Sequence, residues 1–150
     1  MTTSQKIELE QTATNRKHIR VVAGIIWNAD RTEILLSQRK ENQDFGGLWE
    51  FPGGKVEAGE EDQNALIREL QEELGIKANI IREALMFSFD YPNKTIDFVI
   101  YNIDAFTGTP KGAESQLVAW VKLDMLKTLQ FPEANQRMID YIFSEVELDS

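Results

Sequence analysis

The chain predicts a single α/β domain, with a mixed β-sheet packed between helices. β-prone apolar stretches recur from Ile19 to Val121, whereas only two substantial segments repeat their apolar residues at helical spacing. At 150 residues and 42% apolar composition, the chain is long enough to bury a core without disulfides or structural metals. It has no cysteine, which excludes a disulfide framework, a thiolate zinc site and thiol catalysis.

The elements follow in order. Ile19 to Trp27 (IRVVAGIIW) reads as a strand, Asn28 to Glu33 as a polar turn, and Ile34-Leu35-Leu36 as the return strand of a hairpin. A loop runs from Lys40 to Gly47, then a short apolar piece, Leu48 to Phe51, in which Trp49 and Phe51 are expected in the core. Pro52-Gly53-Gly54 is expected to break regular structure. From Glu61 to Leu74, Leu66, Ile67, Leu70 and Leu74 fall on one third of a helical wheel, and Gly75 is placed to stop that helix. Strands are expected at Ala78–Ile81, Leu85–Phe89, Ile96–Phe106 and Leu117–Val121, with a turn at Tyr91–Lys94. A last helix is expected from Pro132 or Glu133, burying Met138, Ile139, Ile142 and Val146.

Residues 1–17 are polar and carry no apolar signal-peptide core; they are expected to form a flexible extension, with the domain itself over 18–150. No apolar run is long enough to span a bilayer, so a cytoplasmic location is expected. The formal net charge of −9 argues against a nucleic-acid-coating surface. It leaves room for a small anionic substrate, because a bound divalent cation inverts the local field. His18, the only histidine, lies at the edge of the extension and is not expected to act in catalysis.

On the predicted helix, Glu69, Glu72 and Glu73 stand at i, i+3 and i+4 and share a face. They repel one another and lie near the helix's C-terminal end, where negative charge is disfavoured, with Arg68 able to relieve only part of this. Hard oxygen ligands of this kind suit magnesium or manganese. A solvated acidic face would show the same three residues.

The flanks carry more. Gly54, Glu60, Arg68-Glu69-Leu70, Glu72-Glu73 and Gly75-Ile76 form G-x5-E-x7-R-E-L-x-E-E-x-G-I, with every specified position filled. This string resembles the signature of the Nudix hydrolases, in the MutT-type branch. The resemblance implies a Nudix-type α/β/α sandwich and a divalent metal, Mg2+ with Mn2+ able to substitute. It also implies metal ligation by Glu69, Glu72, Glu73 and the Gly53 carbonyl, support from Gly54, Glu60 and Gly75, and an orienting role for Arg68. Glu69 is the expected general base. Glu114, before the strand at Leu117, matches an additional glutamate near the metals in similar proteins; by itself it is equally a solvated loop acid.

Arg39 and Lys55 match phosphate-contacting positions of MutT-type proteins, although either residue is also ordinary surface charge. Phe131-Pro132-Glu133-Ala134-Asn135 resembles the F-P-x-A-N segment of 8-oxo-dGTP diphosphatases, implying that Asn135 reads the oxidised guanine. An Asn amide offers donor and acceptor together; the bland alternative is a helix start with Asn135 solvated. Phe89 and Tyr91 are candidates for stacking on the base, or are core and turn residues. The expected activity is hydrolysis of 8-oxo-dGTP to 8-oxo-dGMP and pyrophosphate. Gly47 to Glu57 resembles CTP and modified-dCTP pyrophosphohydrolases about as well, and a non-catalytic nucleotide sensor is the alternative of another class. A nucleoside triphosphate is the expected partner, with no nucleic acid or membrane, and the protein a monomer or weak dimer.

Overall fold

The computed structural model describes residues 16–43 and 46–149. The expected N-terminal extension lies outside the described residues up to Asn15, while its last residue, Lys17, already opens the first strand. Among the described residues there are seven strands: β1 (Lys17–Trp27), β2 (Glu33–Gln38), β3 (Trp49–Glu50), β4 (Gly53–Lys55), β5 (Lys77–Tyr91), β6 (Lys94–Thr107) and β7 (Leu117–Lys122). Helix α1 covers Asp62–Leu74, and helix α2 covers Gln136–Asp149.

The strands form one mixed sheet in the order β3-β2-β1-β6-β5, with β4 added to β1 and β7 to β2. β1 and β6 run parallel, from Lys17 beside Lys94 to Ile26 beside Ile103; the other pairings are antiparallel. Alternation along β1 sorts the two faces. Val22 and Ile26 meet α1, while Ala23, Ile25 and Trp27 meet the layer that holds α2. The α/β/α sandwich expected from the sequence is therefore the observed architecture.

The pairing of β1 positions the site. Its C-terminal end pairs with β2, at Ile26 and Trp27. Its middle, Val21–Ala23, pairs instead with Gly53–Lys55 of β4. The sequence reading expected Pro52-Gly53-Gly54 to break regular structure, and this is corrected: Gly53 and Gly54 begin a short strand. Gly53 makes it possible, since a Cβ there would fall 2.0 Å from the Val22 carbonyl oxygen and 2.6 Å from the Ala23 Cα. The two strands expected at Ala78–Ile81 and Leu85–Phe89 are one long strand, β5, whose register shifts near Ala78–Ile81 and Glu83–Leu85 absorb the break in its pattern. A 3-10 turn at Leu123–Thr128, burying Leu126, was not anticipated.

Helix α1 follows its apolar stripe. Ala65, Leu66, Leu70 and Leu74 are fully buried, and Gly75 ends the helix at φ 69°. Burying each leucine contributes about 1.5–3 kcal/mol, against about 0.2–0.5 kcal/mol for each repelling carboxylate pair. Packing therefore fixes this helix despite its charges. On the opposite face, α2 buries Met138, Ile139 and Ile142, with Val146 packed partly against the same core. A polar chain ties α2 down: Trp27 Nε1 donates to Asn102 Oδ1 (2.9 Å), Asn102 Nδ2 donates to the Tyr141 hydroxyl (2.8 Å), and that hydroxyl donates to Glu145.

Candidate functional site

Arg68 is the hub on the exposed side of α1. Its Nε and Nη2 reach the two carboxylate oxygens of Glu60 at 2.9 and 3.0 Å, its Nη1 reaches Glu69 at 3.0 Å and Glu72 at 3.3 Å, and Nη2 also bonds the Lys55 carbonyl at 3.1 Å. The guanidinium holds the Glu60 carboxyl below its usual range, helped by the Glu57 backbone. Glu60 thus fixes Arg68, and Arg68 fixes Glu69 from one side.

Gly54 fixes Glu69 from the other. A Cβ at Gly54 would lie 2.4 Å from the Glu69 carboxyl carbon and 2.5 and 2.6 Å from its oxygens, so the carboxylate nests where any other residue would carry its side chain. Burial raises the Glu69 carboxyl above its ordinary pKa; Arg68 opposes this, and the charges of Glu72 and Glu114 add to it.

Glu73 sits deeper against the sheet. Burial pushes its carboxyl up to about 8, with like charge from Glu69, Glu50 and Glu114 adding and a Gly53 backbone hydrogen bond pulling back. It has no ion-pair partner among the described residues, and Glu72 lies at the solvent edge, more than half exposed. Glu69, Glu73, Glu50 and Glu114 therefore share one electrostatic neighbourhood. Among the described residues, no three acidic or histidine side chains already stand at metal-ligand spacing. Arg68 holds Glu69 and Glu72 through its Nη1. Half-buried carboxylates under mutual repulsion, one of them without a cation, are nevertheless the hard oxygen donors that a divalent ion takes.

Glu50 was missed by sequence reasoning. A signal was present: Trp49 and Phe51 alternate into one core layer, which turns Glu50 to the α1 side. Arg39, expected as a phosphate contact, donates from Nη1 to Glu50 Oε2 at 2.7 Å. Arg39 is thus docked beside the carboxylates. The Lys55 side chain is exposed, at the end of β4.

Glu114 lies in the exposed loop between β6 and β7, which folds back onto the last turn of α1. The Lys111 N–H donates to the Leu74 carbonyl and the Ala113 N–H to the Glu73 carbonyl, both at 3.0 Å. This contact brings a residue 41 positions beyond Glu73 into its field.

The base-reading candidates gather on the α2 side. Phe89 and Tyr91, near the end of β5, pack ring to ring at 5.0 Å. Burial raises the Tyr91 hydroxyl; Glu133 adds to the shift and Arg39 opposes it, so these two charges flank the ring. Asn135 closes a 3-10 turn, Glu133–Asn135, with its N–H on the Pro132 carbonyl at 3.0 Å. The residue is only 8% exposed, yet no buried side-chain polar atom of the described residues lacks a partner, so its amide, which bonds no other described residue, still reaches solvent. Phe131 stacks on Phe51 at 5.6 Å, which anchors the segment to the β3–β4 connection. A groove of about 820 Å³ runs along Leu48 and Phe131–Glu133 but includes neither Asn135 nor the carboxylates of α1.

Comparison with known proteins gives the arrangement a context. The model of the NUDIX domain matches residues 22–141. The chain is 45% identical to an 8-oxo-dGTP diphosphatase of Haemophilus influenzae, covering 87% of this chain and 96% of that protein. It is 39% identical to a CTP pyrophosphohydrolase of Escherichia coli, over 79% of this chain and 84% of the other. A structure from a study of MutT from Aliivibrio salmonicida and Vibrio cholerae superposes with a TM-score of 0.78 at 42% identity, covering 86% of this chain and 99% of that one. The solution structure of the E. coli ORF135 protein gives 0.75 at 33% identity, with 91% and 94% covered.

Proposed function

The chain belongs to the Nudix hydrolase family, and from that premise we propose that it hydrolyses 8-oxo-dGTP to 8-oxo-dGMP and pyrophosphate with magnesium as its cation. The observation that carries the substrate is Asn135: a residue 8% exposed whose amide bonds no other described residue and reaches solvent, so that its donor and acceptor are open to a ligand. Such an amide can read a purine edge through two hydrogen bonds, and leaving it unpaired against another base would cost about 1–3 kcal/mol.

Glu69, Glu72, Glu73, Glu114 and the Gly53 carbonyl would hold the cation. Bound there, it supplies charge neutralisation on the phosphate oxygens and a lowered pKa for water. The residues do the rest. Arg39, beside the carboxylates, and Lys55 pair with phosphate oxygens. Glu69, pinned between Arg68 and Gly54, accepts the proton of the attacking water, and burial has already raised its proton affinity. A new phosphorus–oxygen bond forms from that water as the bridging phosphorus–oxygen bond breaks, and the negative charge leaves on the departing phosphate group. Cleavage between the α- and β-phosphates gives the nucleoside monophosphate and pyrophosphate.

The 39% identity to a CTP pyrophosphohydrolase supports a second reading with the same chemistry and a cytosine substrate. The Phe131–Asn135 segment separates the two, because it resembles that of 8-oxo-dGTP diphosphatases; an amide alone could also pair with cytosine. A sensor without turnover is disfavoured, since every carboxylate of the motif is kept. The same reading places the protein in the cytoplasm as a monomer or weak dimer without direct nucleic-acid contacts. No described helix is long and apolar enough to cross a membrane. The test is product analysis by 31P NMR with magnesium, with chelator, and for Glu72→Gln. Pyrophosphate should form only with the metal and should fall by at least about tenfold in the variant. Unchanged release by Glu72→Gln would remove the catalytic assignment.

A further inference from the structure

Glu114 is an exposed loop residue, and such residues are ordinarily the most mobile part of a domain. One side chain opposes that here. The Gln116 amide bridges two main chains: its Nε2 donates to the Glu73 carbonyl at 2.9 Å, and its Oε1 accepts from the Glu114 N–H at 2.9 Å. The Glu73 carbonyl belongs to the last turn of α1, whose acceptors have no partner within the helix. It therefore receives two donors, the Gln116 amide and the Ala113 N–H.

The bridge is built at a cost. Ser115, between the two residues it joins, takes φ 67°, a left-handed conformation that non-glycine residues seldom adopt. Gly112 must lack a side chain, because a Cβ there would lie 1.9 Å from the Gln116 carbonyl oxygen. Stopping the helix does not require any of this, since Gly75 already closes it with its N–H on the Gln71 carbonyl. Strain of this kind persists where the surroundings over-determine a position, and it gathers at functional sites. What the arrangement adds is a fixed distance between the backbone of Glu114 and that of Glu73.

We propose that Gln116 is a positioning residue: its amide splints the Glu114 loop to the last turn of α1, so that the Glu114 carboxylate joins Glu69 and Glu73 around one divalent cation. The inference rests on the reading of Glu114 as a member of the metal site. Gln116 itself touches neither the cation nor the substrate. It acts through the Glu114 main chain.

The test uses the full chain and four variants: Glu114→Ala, Gln116→Ala, the double variant, and Gln116→Glu, which keeps the acceptor and loses the donor. Mn2+ alone is titrated as a paramagnetic probe, and Tm is recorded alongside. Loss of a group that orients a metal ligand weakens metal binding by about 10–100-fold, so Gln116→Ala and Gln116→Glu should each raise the Mn2+ Kd by about tenfold or more. The double variant should bind Mn2+ no more weakly than Glu114→Ala, because a splint has no effect once its carboxylate is gone. A purely structural glutamine would weaken binding by the same factor in both backgrounds, and that result overturns the proposal. So does wild-type Mn2+ affinity in Gln116→Ala when Glu114→Ala is impaired. If Glu114→Ala binds Mn2+ like wild type, the membership of Glu114 in the site fails first, and the splint with it.

Discussion

Replacing Gly54 by alanine should separate folding from catalysis. The added Cβ would stand 2.4–2.6 Å from all three atoms of the Glu69 carboxyl group. Ordinary carbon contact needs about 3.5 Å or more, so the carboxylate must retreat by about 1 Å. It can do so, since it ends a flexible side chain and the three atoms nearest the added Cβ are all its own. The fold should therefore survive, with Tm lowered by only a few degrees. The reaction should not. A 1 Å misplacement of a catalytic group costs about 100-fold in rate, and here the displaced group is the proposed base, pulled from its contact with Arg68. The assay is steady-state pyrophosphate release under saturating magnesium, with Tm measured on the same preparation. Gly53→Ala is the contrasting control: its Cβ meets the backbone of β1 at 2.0 Å, so it should unfold the β1–β4 pairing and lower Tm sharply. A Gly54→Ala protein with wild-type kcat would show that the nested position of Glu69 is irrelevant to turnover.

Three further outcomes are expected. Asn135→Ala should lower kcat/KM for 8-oxo-dGTP by about 5–150-fold, the equivalent of about 1–3 kcal/mol of lost pairing, while turnover of CTP changes little in the same assay. Arg68→Ala leaves Glu60, Glu69 and Glu72 without their shared cation; kcat should fall by at least about tenfold, and the magnesium concentration for half-maximal activity should rise. The third concerns pH. In chelator, the folded Glu73 carboxyl titrates near 8, against 4.5 for the ordinary group. The folded state then binds the proton more tightly than the unfolded state, so this group's contribution to stability is present below about pH 4.5 and is lost as pH rises toward 8. Tm of the metal-free protein should fall across that window, Glu73→Gln should flatten the slope, and magnesium should reverse it. A slope unchanged in Glu73→Gln would assign the effect to another group.

Much of the fold was legible because burial writes a period into the sequence. Leu66, Leu70 and Leu74 marked α1, and Met138, Ile139 and Ile142 marked α2. The β4 strand was not legible. Gly53-Gly54 has the composition of a turn, and only the close approach of β1 explains why these glycines stand in a sheet. The bulged register of β5 hid one strand as two for a related reason, since a bulge interrupts the alternation by which strands are read. Within the site, local spacing revealed Glu69, Glu72 and Glu73, all on one helix. Glu50 and Gln116 come from other elements and reach the site through tertiary contacts that spacing does not encode. Asn135 shows the limit from the other side: its sequence context also fits an ordinary helix start with a solvated side chain, and only the low exposure of the residue speaks against that reading.

Substrate choice is tested most directly by the ratio of kcat/KM for 8-oxo-dGTP to that for CTP, measured on the wild-type chain with magnesium and with pyrophosphate as the readout. That ratio should stand well above ten and fall toward one in Asn135→Ala, in keeping with the discrimination that a site hydrogen-bonding one base can reach. A wild-type preference for CTP would contradict the 8-oxo-dGTP reading.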